Sequence, residues 1–300
     1  MLFPELRELI KLKAVVSATD LLQDRTSNRT HGDYASLFHG LGVEFETIRP
    51  YVIGDDVRYI DWRVTARTGK PQVKTFRAEC DRNVLLVVDA NAYMRFGTRV
   101  TFKSIQAAKT AAILCWKSLQ QQDRVGGIIY GDIANGIQYF KPSKHDSTVL
   151  RMLKLLCSKE TDVHEQVDTS TALNHVTQIA TPQSLVFIIS DFSVDNMAQI
   201  ERALLGLRKK CTVVLLPVSD PSDSEIPAIG TLIVSNNNSN ALINTSDAKS
   251  RKQYHASWQT YKQNMIQLGK MIKAPLLWIE TITDPVKSLF RVSGATTWKT

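Results

Sequence analysis

Residues 44–76 read EFETIRPYVIGDDVRYIDWRVTARTGKPQVKTF. Arg49-Pro50-Tyr51, Gly54-Asp55-Asp56, Asp61-Trp62-Arg63 and Ala66-Arg67 set charges, aromatics and turn residues at close, fixed offsets, more than a plain surface loop needs. Gly54-Asp55 and Thr68-Gly69-Lys70-Pro71 mark turns, so the stretch is predicted to form a few short strands. Soon after it comes Val84–Val88, an unbroken apolar run rich in valine that ends in Asp89. Such a run is expected of a strand buried on both faces, in a parallel sheet.

The pattern downstream alternates strand and helix. Helices are predicted at 102–120, 146–157, 171–179, 196–207 and 248–271. Strands are predicted at 125–130, 136–140, 185–190, 212–216 and 275–280, with a hairpin insertion at about 228–245 around SNNNSN. Alternation of this kind implies an α/β fold with a mostly parallel sheet flanked by helices. Segments 84–88, 185–190, 212–216 and 275–280 are expected to be central and parallel, with 136–140 the antiparallel exception. Upstream, Pro4 and the apolar spacing of Leu6, Leu9, Ile10 and Leu12 predict a helix over about 4–22, followed by a polar loop at 24–40. The chain divides on this reading into residues 1–80, a helix and the motif segment, and residues 81–292, the sheet domain.

Composition narrows the class. The apolar share of 43% can build a large core, and 22% charged residues is ordinary for a globular protein. Apolar runs such as Leu185–Ile189 are far shorter than the ~20 residues that span a bilayer. The start, MLFPELRELIKLK, has acids and no long apolar stretch, unlike a signal peptide, so a cytoplasmic protein is expected. Cys80, Cys115, Cys157 and Cys211 form no C-x-x-C pair and read as buried thiols rather than a zinc site. The net charge of +8 raises a nucleic-acid alternative. Against it, the first 80 residues are nearly balanced, the excess is spread over later helices, and no RNA-reading motif occurs.

Ligands of open α/β sheets bind beyond the carboxyl ends of the strands. Two strands end there in an acid, Asp89 and Asp191. Each either caps the structure that follows it or supplies an oxygen ligand to Mg²⁺. The sequence has no H-E-x-x-H, G-x-S-x-G or P-loop, and its six histidines are scattered. No catalytic residue is assigned, and a hydrolase using Asp89 and Asp191 stands as a minor alternative. In the motif segment, Arg49, Arg58, Arg63 and Arg67 are suited to pair with Asp55, Asp56, Asp61 and Glu79. The network either ties the segment down, with Tyr51 and Trp62 packed beneath it, or forms a partner-docking face. In the first case Trp62→Ala costs about 3–5 kcal/mol.

These residues carry a family resemblance. The run at 49–69, with Asp123-Arg124-Val125-Gly126, Gly131-Asp132, Ser190-Asp191-Phe192 and Asn244-Thr245-Ser246-Asp247, resembles the bacterial family called domain of unknown function 58. The resemblance implies a von Willebrand factor A-like sheet domain and a non-catalytic accessory protein of a MoxR-type AAA+ ATPase acting on a client protein. It also implies a divalent-cation site built from Asp-x-Ser-x-Ser, a middle-loop Thr and a later Asp. Here Asp89 and Asp191 match, and Asn91 offers an amide oxygen. Tyr93 and Val167 stand where oxygen donors are expected, and Thr169 lies nearby out of register. A degenerate site of Asp89, Asn91, Thr169 and Asp191, with weak Mg²⁺ binding at most, is therefore expected. Tyr93→Ser with Val167→Thr is expected to restore it, and Arg95 is a candidate counter-ion for the acids.

Overall fold

The computed structural model describes residues 3–26, 45–52, 55–76, 82–158, 167–192, 196–236 and 239–289. They fall in two compact units, 33–81 and the remainder of the chain.

The larger unit is built on a six-stranded sheet. Its strands are β3 (Asn83–Ala90), β4 (Arg124–Gly131), β5 (Ile137–Ser143), β6 (Leu185–Ser190), β7 (Thr212–Ser219) and β10 (Ile279–Glu280), in the order β10-β7-β6-β3-β4-β5. All neighbours pair in parallel except β4 and β5, which form an antiparallel hairpin. Every residue of β6 is buried, as are Val84–Asp89 of β3, because helices cover both faces. On one face lies α3 (Lys103–Gln120), whose Ala107, Ala108, Ala111 and Ala112 let it approach the strands closely. On the other, α5 (Thr169–Ile179), α6 (Met197–Arg208) and the end of α8 (Ala248–Met271) bury Leu173, Val176, Leu204, Leu207, Met265 and Leu268 against Leu85, Val87, Ile188 and Val213. Gly127 of β4 has φ +150°, and a Cβ there would meet the Leu86 carbonyl oxygen at 2.0 Å, so the strand pair needs a glycine. This is the mostly parallel α/β architecture, flanked by helices, expected from the alternation.

Two expectations change. Segment 275–280 is not a central strand but a short edge: only Ile279 and Glu280 pair with β7, and Leu276 makes an isolated bridge to Leu215. Pro275 has no N–H to offer a ladder, although its carbonyl accepts from Leu215. The N-terminal helix α1 (Leu6–Thr26), grouped above with the motif segment, packs instead on α3. Leu9 and Val16 are buried, and Trp116 Nε1 donates to the Leu9 carbonyl at 3.0 Å. Helix α4 (Asp146–Leu156) lies beside it, and Lys13 pairs with Asp146. The insertion forms a hairpin of β8 (Thr231–Asn236) and β9 (Ser239–Asn244).

The smaller unit pairs β1 (Phe45–Pro50) with β2 (Gln72–Phe76) antiparallel. Between them lie a 3₁₀ turn, Val57–Tyr59, and a two-turn helix α2 (Trp62–Thr68), where short strands were expected. Asp61 caps α2, accepting from Arg63 N at 3.0 Å and Val64 N at 3.1 Å. Gly69 ends it at φ +69°. Nothing lies within 4 Å of a Cβ built at Gly69, so only backbone strain opposes a side chain there. Gly69→Ala is expected to cost about 1 kcal/mol in urea unfolding, the usual penalty for the left-handed C′ position. A stabilised variant would mean that the φ had been misassigned.

Arg49 forks onto Asp55 with two bonds of 2.7 Å, and Asp55 also accepts from Val52 N at 2.9 Å. The Arg49 guanidinium holds the Asp55 carboxyl below the usual carboxylate range. Arg58 pairs with Asp56, which caps the 3₁₀ turn. Among the described residues the expected network includes Arg49–Asp55 and Arg58–Asp56, Asp61 also caps α2, and Glu79 lies outside the described residues. Trp62 is not packed beneath it: it is 70% exposed. Trp62 opens a helix whose inner contacts come from the Val64 and Thr65 side, including Thr65 Oγ1, which accepts from Gln72 N.

Candidate functional site

The carboxyl ends of β3, β4, β6 and β7 bring together side chains that are far apart in sequence. Asp89, at the end of β3, is 1% exposed. Four donors reach its two oxygens. Oδ1 accepts from Asn91 N at 3.0 Å and Asn91 Nδ2 at 2.8 Å. Oδ2 accepts from the Tyr93 hydroxyl and from Ser190 Oγ, both at 2.6 Å. Burial pushes the Asp89 carboxyl up to about 6 despite these donors, and neighbouring Asp191 adds to the rise. Tyr93 therefore does not merely block a serine position: its hydroxyl reaches the same acid from farther out.

Asn91 spends its amide nitrogen on Asp89, on the Val167 carbonyl at 3.2 Å and on the Tyr93 oxygen at 3.2 Å. Its Oδ1 is buried and accepts no hydrogen bond among the described residues. Gly131 makes room for this residue, since a Cβ there would lie 2.8 Å from Asn91 Cγ. Thr169, the first residue of α5, is fully buried, with its hydroxyl 2.8 Å from that of Tyr130. Val167 supplies only its carbonyl.

Asp191 meets a cation that sequence reasoning missed. The Lys103 ammonium lies 3.1 Å from Asp191 Oδ2 and 2.9 Å from Asp223 Oδ2, with the Lys103 side chain 5% exposed and that of Asp191 4%. Burial alone would pull the ammonium's pKa down, but Asp191 and Asp223 outweigh it and hold the pKa above the ordinary lysine value. Lys103 opens α3, where the helix dipole disfavours a positive charge, so the carboxylates must carry the pairing. One turn on, Gln106 donates to the Glu280 and Thr283 carbonyls and ties α3 to the end of β10. Arg95, considered above as counter-ion, pairs with Asp132 instead. The visible signal in the sequence was a lysine in the first turn of an alanine-rich, apolar helix.

Two further groups frame the site. Asp220, after β7, accepts from Thr98 N and Oγ1, Ser222 N and Oγ, and Thr281 Oγ1, joining three loops. Its own N–H donates to Asp223 Oδ2 at 2.7 Å, a capping box on the short helix α7 (Pro221–Ser224). From α8, Tyr261 donates to the Asp191 carbonyl and Tyr254 to the Ser222 carbonyl. Phe192 follows Asp191 at φ 52°, an unusual backbone for a bulky residue, and is buried.

A divalent cation that holds near-octahedral oxygen ligation fits this set poorly. Both oxygens of Asp89 already accept N–H and O–H donors, Asp191 holds an ammonium, and Thr169 is hydrogen-bonded to Tyr130. Asn91 Oδ1 alone fits a ligand role. Among the described residues no three acidic, histidine or cysteine side chains converge as metal ligands would. Ser193, another candidate oxygen donor, lies outside the described residues. No helix among them is long and apolar enough to cross a membrane.

Known proteins resemble this chain in sequence and in fold. The uncharacterized protein Rv1480 of Mycobacterium tuberculosis (strain H37Rv) is 28% identical over 94% of this chain and 88% of its own. The uncharacterized protein Mb1516 of Mycobacterium bovis matches to the same extent. Among solved structures, the SpRpn10 VWA domain covers 73% of this chain and 100% of its own at 9% identity, with a TM-score of 0.43. The conserved hypothetical protein BatB from Bacteroides thetaiotaomicron covers 63% and 99% at 15% identity, with a TM-score of 0.40. The family model described as "Protein of unknown function DUF58" matches residues 47–264, well over half of the chain, and the chain belongs to that family.

Proposed function

We propose that this chain is a non-catalytic, cytoplasmic adaptor that docks a MoxR-type AAA+ ATPase and a client protein, with residues 49–67 forming one docking face. The observation that supports this reading is exposure. Within the smaller unit, Val52 is 61% exposed, Val57 59%, Tyr59 51% and Trp62 70%. Large apolar and aromatic side chains gathered on one surface segment suit a protein interface, where aromatics and arginine supply most of the binding energy. Arg49, Asp55 and Asp61 shape the backbone that presents them, Asp56, Arg58, Arg63 and Arg67 add charge to the segment, and Tyr51 adds a phenol.

The test is affinity capture from native lysate with the wild type and a Trp62→Ala variant, each with and without ATP. An AAA+ ATPase retained by the wild type and lost with the variant is the expected result. Trp62→Ala is expected to change unfolding free energy by less than about 1 kcal/mol, as for a surface substitution. Absence of any AAA+ ATPase from the wild-type capture would count against the adaptor. Steep, salt-dependent retention of nucleic acid would point to the alternative class.

A further inference from the structure

We infer that Lys103 is an intrachain substitute for a divalent cation: its ammonium bridges Asp191 and Asp223 at the carboxyl edge of the sheet and takes the place of a metal there. The inference is independent of the adaptor reading.

Three observations carry it. First, the ammonium is held on two carboxylates, Asp191 Oδ2 at 3.1 Å and both oxygens of Asp223 at 2.9 and 3.0 Å. Its side chain is 5% exposed. Burying an unpaired charge is too costly to be incidental, and a paired one demands geometry of this quality. Second, the remaining acid, Asp89, is saturated by donors from Asn91, Tyr93 and Ser190. A metal would have to displace these N–H and O–H groups and leave them without an acceptor. Third, among the described residues the edge is tied together around the lysine. Asp220 N donates to Asp223, Tyr261 to the Asp191 carbonyl, and Gln106, one turn along α3, to two carbonyls at the end of β10. The elements that would open to admit an ion are bonded to one another.

The substitution changes what the site can do. A divalent cation keeps open positions and can accept a partner's carboxylate as a further ligand. An ammonium with its charge committed to the buried Asp191 and the half-buried Asp223 offers no such vacancy. Partner binding at this edge is therefore insensitive to chelators. Restoring oxygen donors by Tyr93→Ser and Val167→Thr does not by itself create a metal site, because the ammonium still holds Asp191 and Asp223.

The test is Mn²⁺ titration, followed by electron paramagnetic resonance and by thermal unfolding, of the wild type, Lys103→Ala and Lys103→Ala/Asp223→Asn. The wild type is expected to bind no Mn²⁺ saturably and to melt at the same temperature in Mn²⁺, Mg²⁺ or chelator. Lys103→Ala is expected to melt lower in chelator, to recover part of the loss as Mn²⁺ or Mg²⁺ is added, and to bind Mn²⁺ saturably where the wild type does not. The recovery is expected to disappear in the double variant, which lacks one of the two freed carboxylates. Saturable Mn²⁺ binding by the wild type that raises its melting temperature above that in chelator would overturn the inference, and that arm needs no variant. A folded Lys103→Ala protein indifferent to divalent ions would also overturn it.

Discussion

Replacing Asp220 with alanine is expected to cost about 3–5 kcal/mol, the usual effect of removing one partner from a buried charged hydrogen-bond network. For a domain of this size that corresponds to a fall in melting temperature of roughly 6–20 °C. Asp220 is 2% exposed and gathers five donors from residues 98, 222 and 281. Burial alone would raise its pKa, but the Thr281, Thr98 and Ser222 donors outweigh it and hold the carboxyl far below the usual range. Truncation strands buried N–H and O–H groups, and leaving such groups unsatisfied costs more than the hydrogen bonds contribute net. It also loosens the capping box that places Asp223 against Lys103. Thr281→Ala removes one donor from an acid that keeps four, and is expected to cost only about 1 kcal/mol. Denaturant unfolding of the two variants beside wild type reads the contrast. Equal effects would show that Asp220 is not the joint of these three loops.

The sheet was legible because its strands are buried on both faces. Val84–Val88 and Leu185–Ile189 have no polar face to disguise their length, and each stops at an acid that begins a loop. The hairpin 124–143 was legible from the short break between the strands predicted at 125–130 and 136–140, although most of β5 is not buried. Helix α2 was not read, although Asp61 and Gly69 are ordinary helix-start and helix-stop residues at two-turn spacing. A helix of seven residues has little periodicity, and the surrounding turn residues outvoted it. Segment 275–280 is apolar enough for a central strand. Its place at the sheet edge depends on which strand it meets, and local composition does not encode that.

Asp89 and Asp191 were legible as acids that end strands, whereas Asn91 and Thr169 were named only through the family resemblance; all four are buried. Several of the groups that hold the acids were invisible because they come from remote parts of the chain. Ser190 reaches Asp89 across 101 residues, Lys103 reaches Asp191 across 88, and Thr98 reaches Asp220 across 122. A lysine at a helix start reads as solvated unless the acids that hold it are known. Trp62 stood open between burial and a docking face, because an aromatic between charges suits both; the helix turns it outward.

Stability is expected to rise as pH falls from about 7.5 to 5, by on the order of 1–1.5 kcal/mol, because of Asp89. The carboxyl is pushed up to about 6 by burial, above the ordinary aspartate value of the unfolded chain. A group whose folded pKa lies above its unfolded pKa takes up its proton first in the folded state. Its contribution is fully present below the unfolded pKa and is lost as pH rises through about 6. Asp223 is raised as well, by burial against the pull of Lys103, and acts in the same direction. The opposite limb belongs to Asp220, Asp168 and Asp247, whose carboxyls are held below the usual range. Their contribution is present above the unfolded aspartate pKa and drains away as pH falls below about 4, so the curve is expected to turn over near pH 4–5. Urea unfolding at a series of pH values measures both limbs. Asp89→Asn keeps the side chain's shape and an acceptor oxygen for Asn91 or Ser190, but it cannot titrate, so its stability is expected to be nearly level between pH 7.5 and 5. If the variant keeps the wild-type slope, the buried titrating group in that window is not Asp89, and the four donors around it hold a carboxylate that is already ionised.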